Sequence, residues 1–363
     1  MNRNKKLISS LLQISIAIIF GLIMGAVVII ISKENPLEIY KQMFSKSFFT
    51  SYYFLQTLTR ATPIIICAIA TAFAWRAGYI NIGVEGQMIV GGFVATVIGL
   101  YCPGPIGLKM LAAILGGIVA GGLYGLIAGF LNAKFNVNLV ICTLMMNYIA
   151  NNVVSYFVTF PLKAKSGDAF SIQTEEIAKG LRFFRISNKG TFNIGFIIAI
   201  CVVLLLLFIE RKTIFGYESK MTGLNKNFAK YGGVHGLKLM LLTMFLSGAI
   251  AGLAGICEIY GVKYRYIDGM FVSTSYAWTG LMAALIANLH PIGIFLSSIF
   301  LSGLQVGGQA IQRSADVPLQ MSTVIQSSIT LFISIKIAYN FFKNKKKNKE
   351  QTKVKKEAKE DLA

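Results

Sequence analysis

Acidic side chains are scarce in this sequence. Asp and Glu number 15 against 35 Lys and Arg in 363 residues, and only 14% of the chain is charged, where a soluble globular domain carries about a quarter. That shortage excludes an ordinary water-soluble globule. Histidine is rarer still: the two, His235 and His290, stand unpaired, which speaks against a His-built metal site. Cys67, Cys102, Cys142, Cys201 and Cys257 show no paired spacing and fall in or beside apolar runs. They read as small buried apolar residues and not as a disulfide framework. The Gly-x-x-x-x-Gly-Lys-Ser/Thr phosphate loop, the Gly-x-Ser-x-Gly elbow and the His-Glu-x-x-His zinc motif are all missing. The chain therefore does not hydrolyse ATP by itself and presents none of these catalytic signatures.

Apolar sequence fills the space. It makes up 55% of the chain, and the mean hydropathy is +0.64. About ten runs read as membrane segments: Leu7 to Ser32, Ala61 to Trp75, Gln87 to Pro103, Met110 to Ala133, Val137 to Phe160, Thr191 to Ile209, Leu239 to Cys257, Tyr276 to His290, Ile292 to Gln312 and Val317 to Ile335. In hydrocarbon a helix satisfies its own backbone, so the prediction is an all-α polytopic integral membrane protein. Met1 to Lys6 is basic and precedes 26 uncharged residues, too long a run for a signal peptide, and reads as an uncleaved first span. A net charge of +20 would suit nucleic acid, but the cations sit at the ends of apolar runs and not in a basic patch with interleaved aromatics. An N-terminus placed inside puts Arg3, Lys5, Lys6, Lys134, six cations between Arg211 and Lys238 and nine lysines from Lys343 to Lys359 on the cytoplasmic side. The positive-inside bias agrees, with both termini cytoplasmic, although six cations between Lys163 and Lys189 fall outside. Residues 1–342 form the membrane domain, with an external loop at 161–190 and a cytoplasmic loop at 210–238; 343–363 reads as a disordered basic tail that can touch anionic lipid.

One stretch does not fit a plain span. Arg76-Ala-Gly-Tyr-Ile-Asn-Ile-Gly-Val-Glu-Gly-Gln-Met88 puts three glycines, two amides and two opposite charges between apolar runs. The 15 apolar residues before it cover only about 22 Å of a core of about 30 Å. This predicts a broken helix near residues 76–87, tolerated only against protein or a water-filled path. Asn81, Glu85 and Gln87 are candidates for a substrate path; the rival reading pairs Arg76 with Glu85 or with another helix to hold the break.

Other spacings add detail. Gly117, Gly121, Gly125 and Gly129 form a packing stripe. Thr143, Asn147, Asn151, Ser155 and Thr159 repeat that spacing with polar groups, either for interhelical hydrogen bonds or as a passage wall. Glu258 ends an apolar run, where it lines the substrate path or is solvated at the external interface. Residues 34–60 read as an external segment at headgroup level, and the loop 161–190 as a surface loop or a docking face for a soluble partner. In the cytoplasmic loop, Asn225 can N-cap a short helix that carries Phe228 and Tyr231 on one face and ends at Gly232 and Gly233. It suits a groove in a partner, or the membrane surface.

Arg60-Ala-Thr-Pro63 followed by the 76–88 stretch resembles the signature of permease subunits of bacterial ABC importers in the branched-chain amino acid, ribose and nucleoside group. The Asn-Ile-Gly-Val-Glu-Gly-Gln form is most similar to the nucleoside branch, as is Thr143-Leu-Met-Met-Asn-Tyr-Ile-Ala150. Phe215-Gly216-Tyr217, Gly223-Leu-Asn225 and Ala229 to Gly233, including Tyr231 and Gly232, resemble the region of that family that docks on the ATPase, with Lys220 and Thr222 where relatives often carry Ala. Asn288-Leu-His-Pro291 resembles the family's Asn-His-Pro turn with Leu289 interposed. The resemblance runs from about Leu58 to about Phe332. It implies a non-catalytic permease of the bacterial cytoplasmic membrane that works by alternating access, with ATP and Mg on a separate ATPase subunit, a second permease and an external substrate-binding lipoprotein. It implies no cofactor on this chain. Nucleoside is the cargo that the resemblance implies; an ABC permease for a sugar or branched-chain amino acid is the alternative, and after it an ion-coupled secondary transporter, since broken helices with a buried acid serve there too; a membrane enzyme acting through Glu85 lacks a nucleophile and base pair.

Overall fold

Glycine decides how the centre of the molecule packs. In the computed structural model, which describes residues 18–165, 171–312, 320, 323–325, 327–329 and 331, three helices meet along a seam without side chains: α4 (Val84–Tyr101), α5 (Ile106–Phe135) and α10 (Gly236–Glu258). A Cβ on Gly121 would stand 2.5 Å from the Gly248 carbonyl, one on Gly252 2.6 Å from the Gly117 carbonyl, and one on Gly91 2.4 Å from the Gly252 Cα. Nothing larger than hydrogen fits, so the backbones approach closely enough for dispersion to hold them in an apolar solvent. The four-residue glycine stripe is thus a packing stripe.

α3 (Ser51–Arg76) stands inside the bundle, and every residue from Ala61 to Ala74 is buried. A helix apolar on all sides needs neighbours on all sides; α10, α12 (Tyr276–Ile286) and α7 (Gly195–Lys212) supply them. Its 26 residues run about 39 Å, which corrects the expectation that residues 61–75 are too short to cross. The helix recruits Ser51 to Arg60, so the stretch 34–60 is largely helical, while Leu37, Phe49 and Tyr52 in it remain exposed. The break itself is present: Ala77 to Gly83 lie between α3 and α4.

Among the described residues, six helices are long and apolar enough to cross a membrane: α3, α4, α5, α6 (Leu139–Thr159), α10 with its continuation to Lys263, and α13 (Pro291–Gln312). A bent pair, α1 (Ile18–Ile31) and α2 (Pro36–Phe44) with its extension to Phe49, makes a seventh if taken as one span broken by 119°. The count of about ten is therefore loose. The expected segment 191–209 is α7, which carries Glu210, Arg211 and Lys212 at its end. The segment 276–290 belongs to the shorter pair α11 (Met270–Thr274) and α12, and most of 317–335, like the tail 343–363, lies outside the described residues.

Contacts separate two units, Met1–Lys41 with Ile311–Ala363, and Gln42–Ala310. Within the first, the Tyr40 hydroxyl donates to the Leu22 carbonyl at 2.5 Å. The second holds every residue discussed below. Two short helices, α8 (Ile214–Leu224) and α9 (Lys226–Tyr231), occupy one of its ends. At the other, the loop after α6 is pinned along residues 260–267: Thr174 N–H donates to the Tyr266 carbonyl, Ile177 N–H to Tyr264 and Phe183 N–H to Tyr260, at 2.9, 2.9 and 2.8 Å.

Candidate functional site

α8 and α9 form where side chains cap them. The Thr213 hydroxyl accepts from Gly216 N–H at 3.1 Å, and Asn225 Oδ1 accepts from the N–H groups of Asn227 and Phe228 at 3.0 and 3.1 Å, each satisfying orphan donors of a first turn. α9 ends at Gly232, with Gly233 at φ +85°. This short helix turns Ala229 inward and leaves Phe228 59% and Tyr231 94% exposed. Tyr217 on α8 is exposed too. Beside α9 opens a surface cavity of about 740 Å³ lined by Tyr79, Lys226, Lys230, His235 and Lys238 among others.

The last turn of α3 holds this end together. Phe73 stacks on Phe215 at 5.5 Å between ring centroids. Arg76 pairs with Glu210 at 2.5 Å and donates to the Leu289 carbonyl at 3.1 Å. Gly78, at φ +81°, lies against the Gly223 backbone, where a Cβ on Gly223 would stand 2.0 Å from the Arg76 carbonyl oxygen. The Tyr79 hydroxyl donates to the Gly236 carbonyl at 3.2 Å, and Lys226 lies over its ring. Arg76 is thus tied to another helix, and the pairing with Glu85 is not formed. Glu210, Gly78 and Tyr79 were not singled out in the sequence, because their partners lie 130 or more positions away. Leu289, interposed in the Asn-His-Pro turn, takes φ +62° and presents the carbonyl that Arg76 uses.

Beyond that turn the chain folds back into the bundle before α4 begins. Asn81 is buried, and its amide donates to Gln87 Oε1 at 3.0 Å and to Ser247 Oγ at 2.9 Å; Ser247 in turn donates to the Ala70 carbonyl at 2.7 Å. α6 supplies the other half. Thr143 Oγ1 accepts from Ile82 N–H at 3.2 Å, Asn147 Oδ1 accepts from Gly86 N–H at 2.8 Å, and the Asn147 amide donates to the Ile82 carbonyl at 3.0 Å. Irregular backbone at this depth is tolerable because protein groups take the place of water. Ser247 is the member of this network that sequence reading missed. Asn151 is half-buried and, among the described residues, makes no side-chain hydrogen bond.

Both carboxylates near the core are buried, and both face α12. Trp278 Nε1 donates to Glu85 Oε2 at 3.2 Å, while Glu85 Oε1 is buried without a hydrogen-bond partner among the described residues. The Tyr276 hydroxyl donates to Glu258 Oε1 at 3.2 Å. Glu258, at 2% exposure, is therefore not a solvated interface residue. Arg60 lies over the Tyr276 ring, 5.5 Å from its centroid.

Residues 53–334 match the family described as branched-chain amino acid transport system, permease component. The chain belongs to that permease family. It is 32% identical to the guanosine ABC transporter permease protein NupP of Bacillus subtilis, over 95% of this chain and 99% of that one. To the nucleoside ABC transporter permease protein NupB of Lactococcus lactis it is 29% identical, over 92% of each. The guanosine ABC transporter permease protein NupQ, again of Bacillus subtilis, is 27% identical over 72% of this chain and 84% of that one. The permease is accordingly a multi-pass membrane protein. At its far end from α9, Glu176 pairs with Arg182 at 2.7 Å and with Arg265, and these guanidinium groups, Arg265 foremost, hold its carboxyl below the usual range.

Proposed function

We propose that this permease carries nucleosides across a bacterial cytoplasmic membrane as one subunit of an ATP-driven importer. A separate ATPase, with its ATP and Mg, supplies the energy; a second permease and an external substrate-binding lipoprotein complete the assembly. The 210–238 end faces the cytoplasm and both termini lie on that side, in keeping with the positive-inside bias. One observation carries the mechanism. The exposed aromatic turn Phe228 to Tyr231, which suits a groove in the ATPase, sits on a loop fastened to Phe73, Arg76 and Gly78, and the same backbone continues within three residues into the buried network of Asn81 and Gln87. A push on α9 thereby reaches the break between α3 and α4, where the passage changes the side to which it opens. The amide and carboxylate groups along Asn81, Glu85 and Gln87 suit an uncharged cargo rich in donors and acceptors. The names of NupP and NupB support nucleoside as that cargo.

The test is reconstitution. Purification through a tag on this chain should bring down an ATPase and a second permease, and the complex in vesicles should take up labelled nucleoside only when ATP is supplied. Replacing Phe228 and Tyr231 by Ala should leave the chain in the membrane while uptake and ATPase recovery fall together. Full uptake in that double variant, or ATP-independent uptake by the permease alone, would overturn the reading.

A further inference from the structure

The cavity of about 740 Å³ beside α9 gathers cations: Lys226, Lys230, Lys238 and His235 all line it. Among the described residues its wall holds no Asp or Glu, and none of the three lysines makes an ion pair. Glu218 lines an adjoining hollow with His235 and Lys238 but pairs with neither. Positive charge is thus concentrated here without a protein anion to answer it.

Backbone donors converge on the same wall. α10 runs for 23 residues from Gly236, and its first bond goes from Leu239 N–H to the His235 carbonyl at 3.0 Å. The N–H groups of Gly236, Leu237 and Lys238 come before that bond, the His235 side chain does not cap them, and all three residues line the cavity. A Cβ on Gly236 would meet nothing within 4 Å, so the approach to these donors is open. The start of a long helix attracts an anion, although water alone would also satisfy it. Thr222 calls for more than water. It lines the cavity at 4% exposure, and its hydroxyl is buried without a hydrogen-bond partner among the described residues. Thr59, Thr62 and Thr71 in α3 each donate to the carbonyl four residues back, at 2.8, 3.1 and 3.0 Å; Thr222 makes no such bond, and leaving it unmade is costly unless a ligand supplies the partner. Tyr79 holds the parts together. Its hydroxyl donates to the Gly236 carbonyl at 3.2 Å, while Lys226 Nζ lies over its ring, 5.3 Å from the centroid.

We infer that this cavity binds a phosphate ester, whose oxygens accept from the first turn of α10, from the Thr222 hydroxyl and from the surrounding lysines. A carboxylate brings two oxygens, too few for three N–H groups, a hydroxyl and three ammonium groups; a phosphate group brings four. The cavity is larger than a phosphate alone and falls within the range of about 300–1,000 Å³ that takes a small molecule, so it encloses part of the esterified group as well. Two sources share this chemistry. α10 spans the membrane, which puts its first turn at the level of lipid headgroups; a soluble phosphate ester reaches the same wall from the water.

The experiment uses the full chain, purified with whatever chains accompany it, in a maltoside detergent that carries no phosphate. One arm adds a photoreactive phosphatidylglycerol and the other a photoreactive adenosine monophosphate, and adducts are located by mass spectrometry. Adducts within residues 222–238 are expected in at least one arm, and the arm that gives them names the source; a photoreactive diacylglycerol with the same tails and no phosphate should give none. Thr222→Val keeps the shape and removes the hydroxyl. It should lower labelling by about tenfold, the worth of a hydrogen bond to a charged group, with the melting temperature of the protein unchanged or raised. Lys226→Gln combined with Lys238→Gln should lower labelling at least as far. Loss of labelling with the lysines but not with Thr222→Val would reduce the cavity to loose attraction by a basic surface and overturn the site. Adducts in neither arm, or equal labelling by the diacylglycerol, would overturn it too, as would a carbodiimide cross-link from Lys226 or Lys238 to a carboxylate of an accompanying chain.

Discussion

Gly223→Ala isolates the contact that joins the cytoplasmic loop to α3. The substitution adds one methyl group, and the structure puts it 2.0 Å from the Arg76 carbonyl oxygen and 3.0 Å from its carbon. That oxygen is backbone and cannot rotate away, so the two segments must separate by about 1 Å before ordinary contact is restored. Overpacking of this kind costs about 1–3 kcal/mol. Against it, Ala near the end of α8 gains at most about 1 kcal/mol of helix propensity over Gly. A 2.0 Å approach to fixed backbone belongs at the upper end of that range, so the overlap wins by about 2 kcal/mol, which lowers the fraction of loops docked on α3 by about 30-fold. The assay is nucleoside taken up per ATP hydrolysed, measured in vesicles with the complete importer. Because α9 is untouched, the ATPase should remain bound and active while uptake per ATP falls at least tenfold. Gly236→Ala is the control: it lies in the same loop and its Cβ meets nothing within 4 Å, so coupling should be preserved. Normal uptake per ATP in Gly223→Ala would show that this contact does not transmit the motion.

Two further outcomes follow from particular contacts. Arg76→Glu or Glu210→Arg alone should each reduce uptake and thermal stability of the purified permease, by about 1–3 kcal/mol for a partly buried charged hydrogen bond, and the exchanged pair should recover most of the loss; two equally harmful single variants with no recovery in the double would rule out a direct pair. At the other end, the carboxyl of Glu176 is held below its ordinary value near 4.5 by Arg265 and Arg182. A depressed acid stabilises the fold above its unfolded value and loses that contribution as pH falls through the folded one. Protection of residues 173–185 against hydrogen exchange, taken relative to the intrinsic rate at each pH, should therefore be high at pH 7 and fall once pH drops below the ordinary carboxylate value near 4.5, with Glu176→Gln poorly protected at both; a wild-type protection factor indifferent to pH would show that the pairs do not order it.

How much of this was legible in the chain depends on the range of the interaction. Membrane helices and a break near residues 76–87, which the structure places at residues 77–83, were readable, because apolar runs and glycine clusters act within a dozen residues of themselves. The cap at Asn225 and the packing stripe at Gly117, Gly121 and Gly125 were readable for the same reason: capping and helical spacing are properties of one segment. The length of α3 was not, since Ser51 to Arg60 look polar alone and become helix by continuing a helix that the bundle already buries. Nor could the sequence choose between Glu85, Glu210 and any other acid as the partner of Arg76, since Glu210 stands 134 positions away and the chain between had to fold first. The polar stripe on α6 shows the division most clearly. Its period was evident from Thr143 to Thr159, but only the packing of the break against one end of α6 decided that Thr143 and Asn147 are spent inside the chain, while Asn151 and Asn152 are left to face outward. A period is set by the helix alone; what each side of it meets is set by the neighbours that tertiary structure brings.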